Sequence, residues 1–358
     1  MKKTLLTVLI AIILAILSFV FPELDLLQEE TQPTVSAPAV ADGALTVHYI
    51  DVGQADCILL ESDGEFMLID GGNVDDSQLV VSYLGQMGVE TLRHVICTHA
   101  HEDHVGGLPA VLSKYKAQAV YSPVTEYSSK VFGNFVDKTE AQGLSLTIPS
   151  PGDDLSFGSV TATVLGPVQE YGDPNETSIV LKVTCGDTDF LFTGDSETSS
   201  ETDMLDYWGD AIDWNIDVLK VGHHGSNTST GYRLLYETQP TYGAISVGTD
   251  NSYGHPHEEP MSRLKDAGVV VLRTDLLGHI IAQTDGTDVT FTWENQSAQP
   301  EGVEPGDKQP IVFYGNKKSR NLHAPICRNL PSESNRVEFT DYDDAISQGY
   351  TPCASCLK

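Results

Sequence analysis

The sequence predicts an α/β sandwich, in which helices cover β-sheets. From residue 45 the chain begins with a meander of three β-rich runs, LTVHYIDVG, CILLES and EFMLIDGG. Helical patterns then alternate with short apolar runs, which is typical of strands whose connecting helices pack back onto a sheet. Three of the strand-like runs end directly in metal-binding residue types. Because loops at strand ends carry the ligand chemistry of such folds, we expect the functional site there.

The predicted elements follow one another in a regular order. After the meander come two helical runs, SQLVVSYLGQMG and VGGLPAVLSKY. A hairpin, SIVLKVTCGDTDFLFTGD, has two β-rich arms around a Cys-Gly-Asp turn. The remaining short apolar strands are RHVIC, QAVYS, DVLKV, YGAISV, VVVLRT and finally DVTFTW. We therefore predict one globular domain over residues 44–294.

The N-terminal residues predict export. Two lysines precede an uncharged run of 17 residues, Leu5–Phe21, so residues 1–21 have the pattern of a signal peptide or a membrane anchor. Residues 22–43, rich in Pro, Ala, Ser and Thr towards their end, predict a flexible linker. We expect an extracellular protein, secreted or anchored to the outer face of the cell membrane, and favour the uncleaved anchor.

The charge of the chain restricts its partners. A formal net charge of -31 opposes strong non-specific attraction to nucleic acid, because a general phosphate binder carries a basic face. An anionic substrate must therefore be held locally, by metal ions or by a small basic patch.

One short segment concentrates metal-ligand chemistry. Residues 99–104, HAHEDH, place three imidazoles and a ligand-type carboxylate between the strand RHVIC and a helix that begins with two glycines. Imidazole nitrogen and carboxylate oxygen bind borderline and hard divalent ions, and a tight turn lets alternate residues face two ions. Further ligand types follow strands at Asp195 and at His223-His224. The alternative, a solvated histidine-rich turn, does not explain these later clusters.

The motifs resemble those of a known family. HAHEDH is similar to the HxHxDH signature of the metallo-β-lactamase superfamily, whose fold is an αββα sandwich. More narrowly, residues 45–292 resemble the hydrolase domain of the competence DNA-uptake channel protein (ComEC type), through the motifs DVGQAD, LIDGG, HEDHVGGL, NETSIVLKV, FTGD, LKVGHHGS and NSYGHP. The third-motif histidine of classical lactamases is replaced by Asn175, as in the competence branch, while Ala55 stands where that branch has glycine.

The resemblance implies two divalent metal ions, zinc or manganese. It assigns His99 and His101 to one ion, Asp103 and His104 to the other, and Asp195 as the bridge. His223 or His224, with His223 ranked first, and then His255 complete the ligand set. Two ions about 3.5–4 Å apart can hold a hydroxide that attacks phosphorus.

The same resemblance suggests catalytic and substrate-binding residues. Asp103 is expected to orient a metal and the attacking hydroxide, and His224 or His255 to protonate the leaving oxygen. The expected substrate-binding residues are Asp51, Gln54, Ser226, Asn251 and Tyr253. For Asp51 a supporting turn role is an equal alternative, and for the last three loop structure is the stronger one.

The end of the chain predicts a small zinc module. A Pro/Gly/Glu-rich linker, 295–309, precedes residues 310–358, where His323, Cys327, Cys353 and Cys356 form two ligand pairs. Such pairs fit tetrahedral structural zinc, and so short a segment needs a staple to stay folded. A disulfide with one odd cysteine, or a set of free thiols, remains the alternative.

This tail is similar to the zinc-binding module of the Ada DNA-repair protein, through FYGNxxSxxxHxxxC and AIxxGYxPCxxC. The resemblance suggests a contact with DNA or another polymer through Lys317, Lys318 and Arg320; a solvated basic edge is an equal alternative.

The function expected from these features is hydrolysis of a phosphodiester, with DNA or another phosphodiester polymer as substrate. The alternatives are hydrolysis of choline-phosphate esters or lactones, and a non-catalytic surface module that binds DNA or another polymer. The membrane is the second expected partner, and no protein partner is predicted.

Overall fold

A computed structural model describes residues 44–302 and 310–357. The predicted signal or anchor, 1–21, and the predicted linker, 22–43, lie outside these residues. Within the described ranges, no helix is long and apolar enough to cross a membrane.

The first sheet begins with the predicted meander. Its first three strands pair antiparallel, and the next three add in parallel through helical crossovers. Val, Ile and Leu recur in the first four strands, most of whose residues are buried. The strands are β1 (Leu45–Tyr49), β2 (Ile58–Ser62), β3 (Glu65–Ile69), β4 (Thr91–Ile96), β5 (Lys116–Tyr121) and β6 (Leu146–Thr147).

The second sheet repeats this change from antiparallel to parallel pairing. The predicted hairpin supplies two of its strands, and three parallel strands continue from the second arm. In order, the strands are β7 (Thr161–Gly166), β8 (Val180–Cys185), β9 (Thr188–Phe192), β10 (Val218–Lys220), β11 (Tyr242–Ile245) and β12 (Val270–Arg273).

The chain then returns to the first sheet. Strands β13 (Ile280–Thr284) and β14 (Val289–Trp293) extend it beyond β1, giving the order β14-β13-β1-β2-β3-β4-β5-β6. The two sheets enclose a buried core with side chains from both, including Val47, Ile58, Leu181 and Phe190. This core between sheets is the centre of the predicted αββα sandwich, which the structure confirms.

Helices cover the outer faces. One helix on the first sheet begins after Ser129, whose side chain caps it, and buries Phe132 and Phe135 at helical spacing. Sequence analysis did not predict this helix. The helices are α1 (Ser77–Gln86), α2 (Glu102–Val105), α3 (Leu108–Lys114) and α4 (Lys130–Ala141) beside the first sheet, and α5 (Thr198–Trp208), α6 (Tyr232–Thr238), α7 (Glu258–Asp266) and α8 (Thr274–Leu277) beside the second.

A third, four-stranded sheet forms the C-terminal module. Its elements are β15 (Phe313–Asn316), β16 (Asn321–His323), β17 (Arg336–Phe339), α9 (Tyr342–Ser347) and β18 (Thr351–Pro352). Phe313 and Tyr342 pack against Tyr236 of α6, so the module shares one hydrophobic cluster with the second sheet's helices. In the described part of the predicted linker, Glu301 pairs with Val271 at the edge of β12. The domain boundaries themselves stay a prediction.

Candidate metal centre

The candidate metal ligands lie in loops that follow parallel strands. Strands β3 and β4 are parallel neighbours in one sheet, and β9, β10 and β11 in the other. Their C-terminal ends therefore meet along one edge of the sandwich. The loops after these five strands carry Asp70, residues 98–104, Asp195, residues 222–225 and residues 248–257.

Glycines allow two of these loops to touch. A Cβ atom on Gly107 would lie 2.1 Å from the carbonyl oxygen of Gly71, and one on Gly71 would lie 2.7 Å from the amide of Leu108. No other residue type fits at such distances. The contact brings the start of α3 against the loop after β3, so that Gly71 donates to the carbonyl of His104 at 2.7 Å.

The side chains predicted to bind the first ion approach one another in pairs. Nε2 of His99 lies 3.0 Å from Nδ1 of His101 and 3.9 Å from Oδ2 of Asp195. The same carboxylate oxygen lies 3.6 Å from Nε2 of His223.

The second predicted position is defined by atoms that all lie within 4.8 Å of one another, from Asp103, His104, Asp195 and His224. Nε2 of His104 is 3.3 Å from Oδ1 of Asp195. Nε2 of His224 is 3.4 Å from Oδ2 of Asp103. Asp195 thus faces His104 with one oxygen, and both His99 and His224 with the other, so its carboxylate could be shared by two ions.

Two properties show that this donor set fits divalent cations. Tetrahedral ligands about 2.0–2.1 Å from an ion are themselves about 3.3 Å apart, close to the separations found here. In the described residues, Nε2 of His104, Nε2 of His224 and Oδ1 of Asp195 are buried with no hydrogen-bond partner. Buried polar atoms without a hydrogen-bond partner destabilise the folded state, and a bound cation would give all three a partner.

The electrostatics of the cluster favour ionised carboxylates. Burial alone would raise the pKa of Asp195, yet the His104 and His224 imidazoles hold that pKa well below its ordinary value. For Asp103 the same competition between burial and His104 lowers the pKa to about 2. The two acids, Asp195 buried and Asp103 partly exposed, therefore both present negative charge to a ligand.

Asp70 orients one of the ligand histidines. Its Oδ2 lies 2.8 Å from Nδ1 of His104, and it also accepts from the hydroxyl and the amide of Thr98 at 2.7 and 2.8 Å. A carboxylate on one ring nitrogen fixes the tautomer and turns the other nitrogen towards the metal. Asp70 therefore supports the site by orienting His104.

A buried ion pair supports the second ligand histidine. Sequence analysis did not predict this pair. Nζ of Lys220 lies 2.9 Å from Oδ2 of Asp56, and Oδ1 of Asp56 lies 3.4 Å from Nδ1 of His224. That Nδ1 donates to the carbonyl of Ser246 at 2.9 Å, leaving Nε2 for a metal. The available signal was a lysine inside the otherwise apolar strand DVLKV.

The structure separates the two adjacent histidines by burial. Both have left-handed backbone, with φ of 50° for His223 and 54° for His224. His224 is buried and belongs to the four-residue group, whereas His223 is partly exposed and approaches Asp195 from the rim. Both histidines lie within reach of Asp195, at 3.6 Å for His223 and 3.7 Å for His224, and their ranking as ligands stays a prediction.

Comparison with known proteins decides the family. The family model described as the metallo-beta-lactamase superfamily matches residues 50–249. The chain belongs to this superfamily. It is 29% identical over 255 residues to ComE operon protein 3 of Bacillus subtilis, a match that covers 65% of this chain and 32% of that protein. It is 30% identical over 241 residues to competence protein ComA of Neisseria gonorrhoeae, covering 67% and 32%.

The chain therefore spans about a third of the length of these curated relatives. Among solved structures, it resembles the metallo-beta-lactamase fold protein YhfI of Bacillus subtilis with a TM-score of 0.45 and 14% identity, over 67% of this chain and 99% of that one. The predicted resemblance to the superfamily and to competence proteins is confirmed.

His255, the remaining ligand predicted from the superfamily, lies beside the centre. Its ring is 5.7 Å from that of His223 and 6.5 Å from that of His224. Within the described residues it belongs to none of the clustered ligand groups. Its Nδ1 contacts Nε2 of Gln54 at 3.3 Å, so Gln54 holds this histidine in place.

Most of the predicted substrate-binding residues make loop contacts. Asp51 accepts from the amide of Gly53, Ser226 contacts the hydroxyl of Thr228, and Asn251 bonds the backbone of His255 on both sides. These contacts support the structural alternative. Tyr253 differs, because its ring is 65% exposed and stacks on His255. Substrate binding by all of them stays a prediction.

The C-terminal module brings its four predicted ligands together. Ligand atoms of His323, Cys327, Cys353 and Cys356 lie within 4.8 Å of one another. Amides of Ala324 and Asn329 donate to Sγ of Cys356 and Cys327 at 3.3 and 3.4 Å. Such donors stabilise thiolates, and the three cysteines form no disulfide. The donor set fits one structural zinc ion.

The basic residues of the module are largely engaged within it. Arg320 lies 3.9 Å over the ring of Tyr350 and donates to the carbonyl of Gln348. Lys317 donates to Ser334 at 3.4 Å, whereas Lys318 is exposed. This arrangement supports the alternative of a basic edge, and their contact with nucleic acid stays a prediction.

Proposed function

We propose that this chain is an exported phosphodiesterase that cleaves DNA. The observation that carries the proposal is the central carboxylate of Asp195, which lies 3.3–3.9 Å from imidazoles of both histidine groups. Two divalent ions at such a centre activate water and neutralise charge on phosphoryl oxygens. The relatives named for competence favour DNA as the substrate.

The chain's own residues divide the work by their position. The Asp103 side chain is 28% exposed, so it stands between the buried ligands and solvent, where it can orient an attacking water. His224 is buried with Nδ1 bound to a carbonyl. The side-chain amide of Gln54 donates to Nδ1 of His255, which leaves the ring hydrogen on Nε2; we therefore assign to Nε2 of His255 a hydrogen bond to the leaving oxygen, whose proton comes from water.

The place of action is part of the same proposal. Its support is the lysine-led apolar segment Leu5–Phe21 and the linker that follows it. The membrane is then a partner through this segment, and the substrate is met outside the cytoplasm. Protease added to intact cells should digest the protein, and protection from it would overturn export.

Hydrolysis by the purified full-length chain tests the activity. We expect cleavage of single-stranded DNA and of bis-p-nitrophenyl phosphate with added manganese or zinc, and a loss of at least about a hundredfold in Asp103→Ala. Asp75→Ala, which removes an exposed carboxylate, is the matched control. Cleavage of the small ester alone indicates another phosphodiester, and inactivity on both favours the binding module.

A further inference from the structure

Aromatic rings form an unbroken succession through the metal centre. It begins at one tyrosine, passes five histidines and ends at a second tyrosine, with neighbouring ring centroids 6.4, 4.8, 4.1, 5.3, 6.5 and 5.6 Å apart. In order, the rings belong to Tyr127, His101, His99, His104, His224, His255 and Tyr253. The two tyrosines thus stand at the two ends of the histidine cluster.

Tyr253 is an exposed ring on a fixed support. It stacks on His255 with an angle of 26° between the rings, and 65% of its surface is exposed. Oδ1 of Asn251 accepts from the amides of both Tyr253 and His255, at 3.2 and 3.0 Å. The loop therefore holds the two residues together, and the exposed ring gains no burial from its position.

Tyr127 is held in a similar way at the other end. Its ring meets His101 edge-on at 72° and packs against Phe132 at a centroid distance of 6.1 Å. Phe132 is buried beneath it in α4, and the Tyr127 side chain stays partly exposed. Each end of the histidine cluster therefore presents an anchored aromatic ring.

We propose that Tyr253 and Tyr127 are stacking platforms for the unpaired bases on either side of the phosphate at the metal centre, which makes the site selective for single-stranded DNA. The inference rests on the proposed function. Stacking of a base on an aromatic ring is independent of sequence, and it requires a base that is not held in a duplex.

The charge of the chain makes such contacts necessary. With a net charge of -31, the protein cannot gain general affinity from phosphate contacts, as basic nucleases do. Beyond the phosphate held at the metal centre, the bases are a part of the polymer that an acidic protein can bind favourably, through the faces of their rings.

A quaternary ammonium group, as in choline, is the other ligand that aromatic rings attract. Its recognition uses several aromatic faces around one cation. Here the two tyrosines are separated by five imidazoles and do not form one cage. Two rings at the two ends of the cluster suit two bases that flank a central phosphate.

The test uses the full-length chain and a short oligonucleotide with one cleavable phosphodiester among phosphorothioates. Removing the base on one side of that bond should lower kcat/KM about tenfold for the wild type. Tyr253→Ala should lose a similar factor on the intact substrate and become insensitive to one of the two base removals; Tyr127→Ala should become insensitive to the other. Tyr253→Phe keeps the ring and should keep the preference.

Tyr207→Ala removes another exposed tyrosine, 58% exposed on α5, and should behave as the wild type. Cleavage that ignores base removal in the wild type overturns the inference and leaves the proposed function intact. Anisotropy of the labelled oligonucleotide with Asp103→Ala reports binding alone. If the wild type cuts no DNA, the nuclease proposal fails. The stacking platforms are still supported if DNA binding depends on the flanking bases and this dependence is lost in Tyr253→Ala.

Absence of base-dependent binding in that assay overturns the inference. A second result would also overturn it: phosphocholine inhibits the wild type, inhibits Tyr253→Ala less, and base removal has no effect. The ring of Tyr253 would then bind a quaternary ammonium group.

Discussion

Lys220→Met removes the cation from the ion pair beneath the metal centre. The pair is 2.9 Å long, and its side chains are only 1% and 2% exposed. At that separation two unit charges attract by about 6 kcal/mol at an effective dielectric constant of about 20. Methionine is similar in length but leaves the Asp56 carboxylate buried without its counter-charge. Loss of one partner of a buried pair costs about 3–5 kcal/mol, and we expect the free energy of unfolding to fall by that amount.

Lys182→Met is the matched control. Its ion pair with Asp189 has nearly the same length, 3.0 Å, but the side chains are 14% and 18% exposed, so we expect a loss of about 1 kcal/mol. Urea unfolding in EDTA measures both variants without a contribution from bound metal. The double variant Asp56→Asn, Lys220→Met should recover part of the loss. Equal effects of Lys220→Met and Lys182→Met would refute the reasoning.

Three further outcomes follow from the contacts. Asp70→Ala leaves Nδ1 of His104 without its carboxylate and should weaken metal affinity about 10–100-fold by calorimetric titration; unchanged affinity contradicts the orienting role. Burial, opposed by two backbone amides, raises the pKa of Glu201 from 4.5 to about 7, so between these values only the folded state holds the proton. The free energy of unfolding should therefore fall by about 3 kcal/mol from pH 4.5 to 7. If the free energy of unfolding of Glu201→Gln falls equally over that range, the raised pKa of Glu201 is not the cause. Cys353→Ser should lower the zinc content by one ion per chain and expose the C-terminal module to protease; unchanged zinc content contradicts the four-ligand site.

The ligands nearest one another in sequence were the most predictable part of the site. HAHEDH places its ligands in one turn, so their proximity needs no knowledge of the fold. Asp195 was predictable because a β-hairpin visibly delivers it to a strand end. The cysteine pairs of the tail, by the same reasoning, indicate their chemistry by spacing alone.

Other parts of the site could not be read in this way. The difference between His223 and His224 depends on two consecutive left-handed residues, which place neighbouring side chains at different depths. The partnership of Lys220 with Asp56 joins a strand of one sheet to a loop of the other. The roles of Ser226 and Asn251 depend on which backbone groups lie beside them.

By itself, the sequence determined the fold class, the order of the strands that carry the site, and the chemical identity of both metal-ligand sets, because periodicity and ligand type are properties of short segments. Tertiary structure alone decided which histidine is buried, which carboxylates orient the ligands, and that two tyrosines stand at the ends of the cluster. Those features depend on which strand ends become neighbours when the two sheets pack face to face, and no local pattern records that packing.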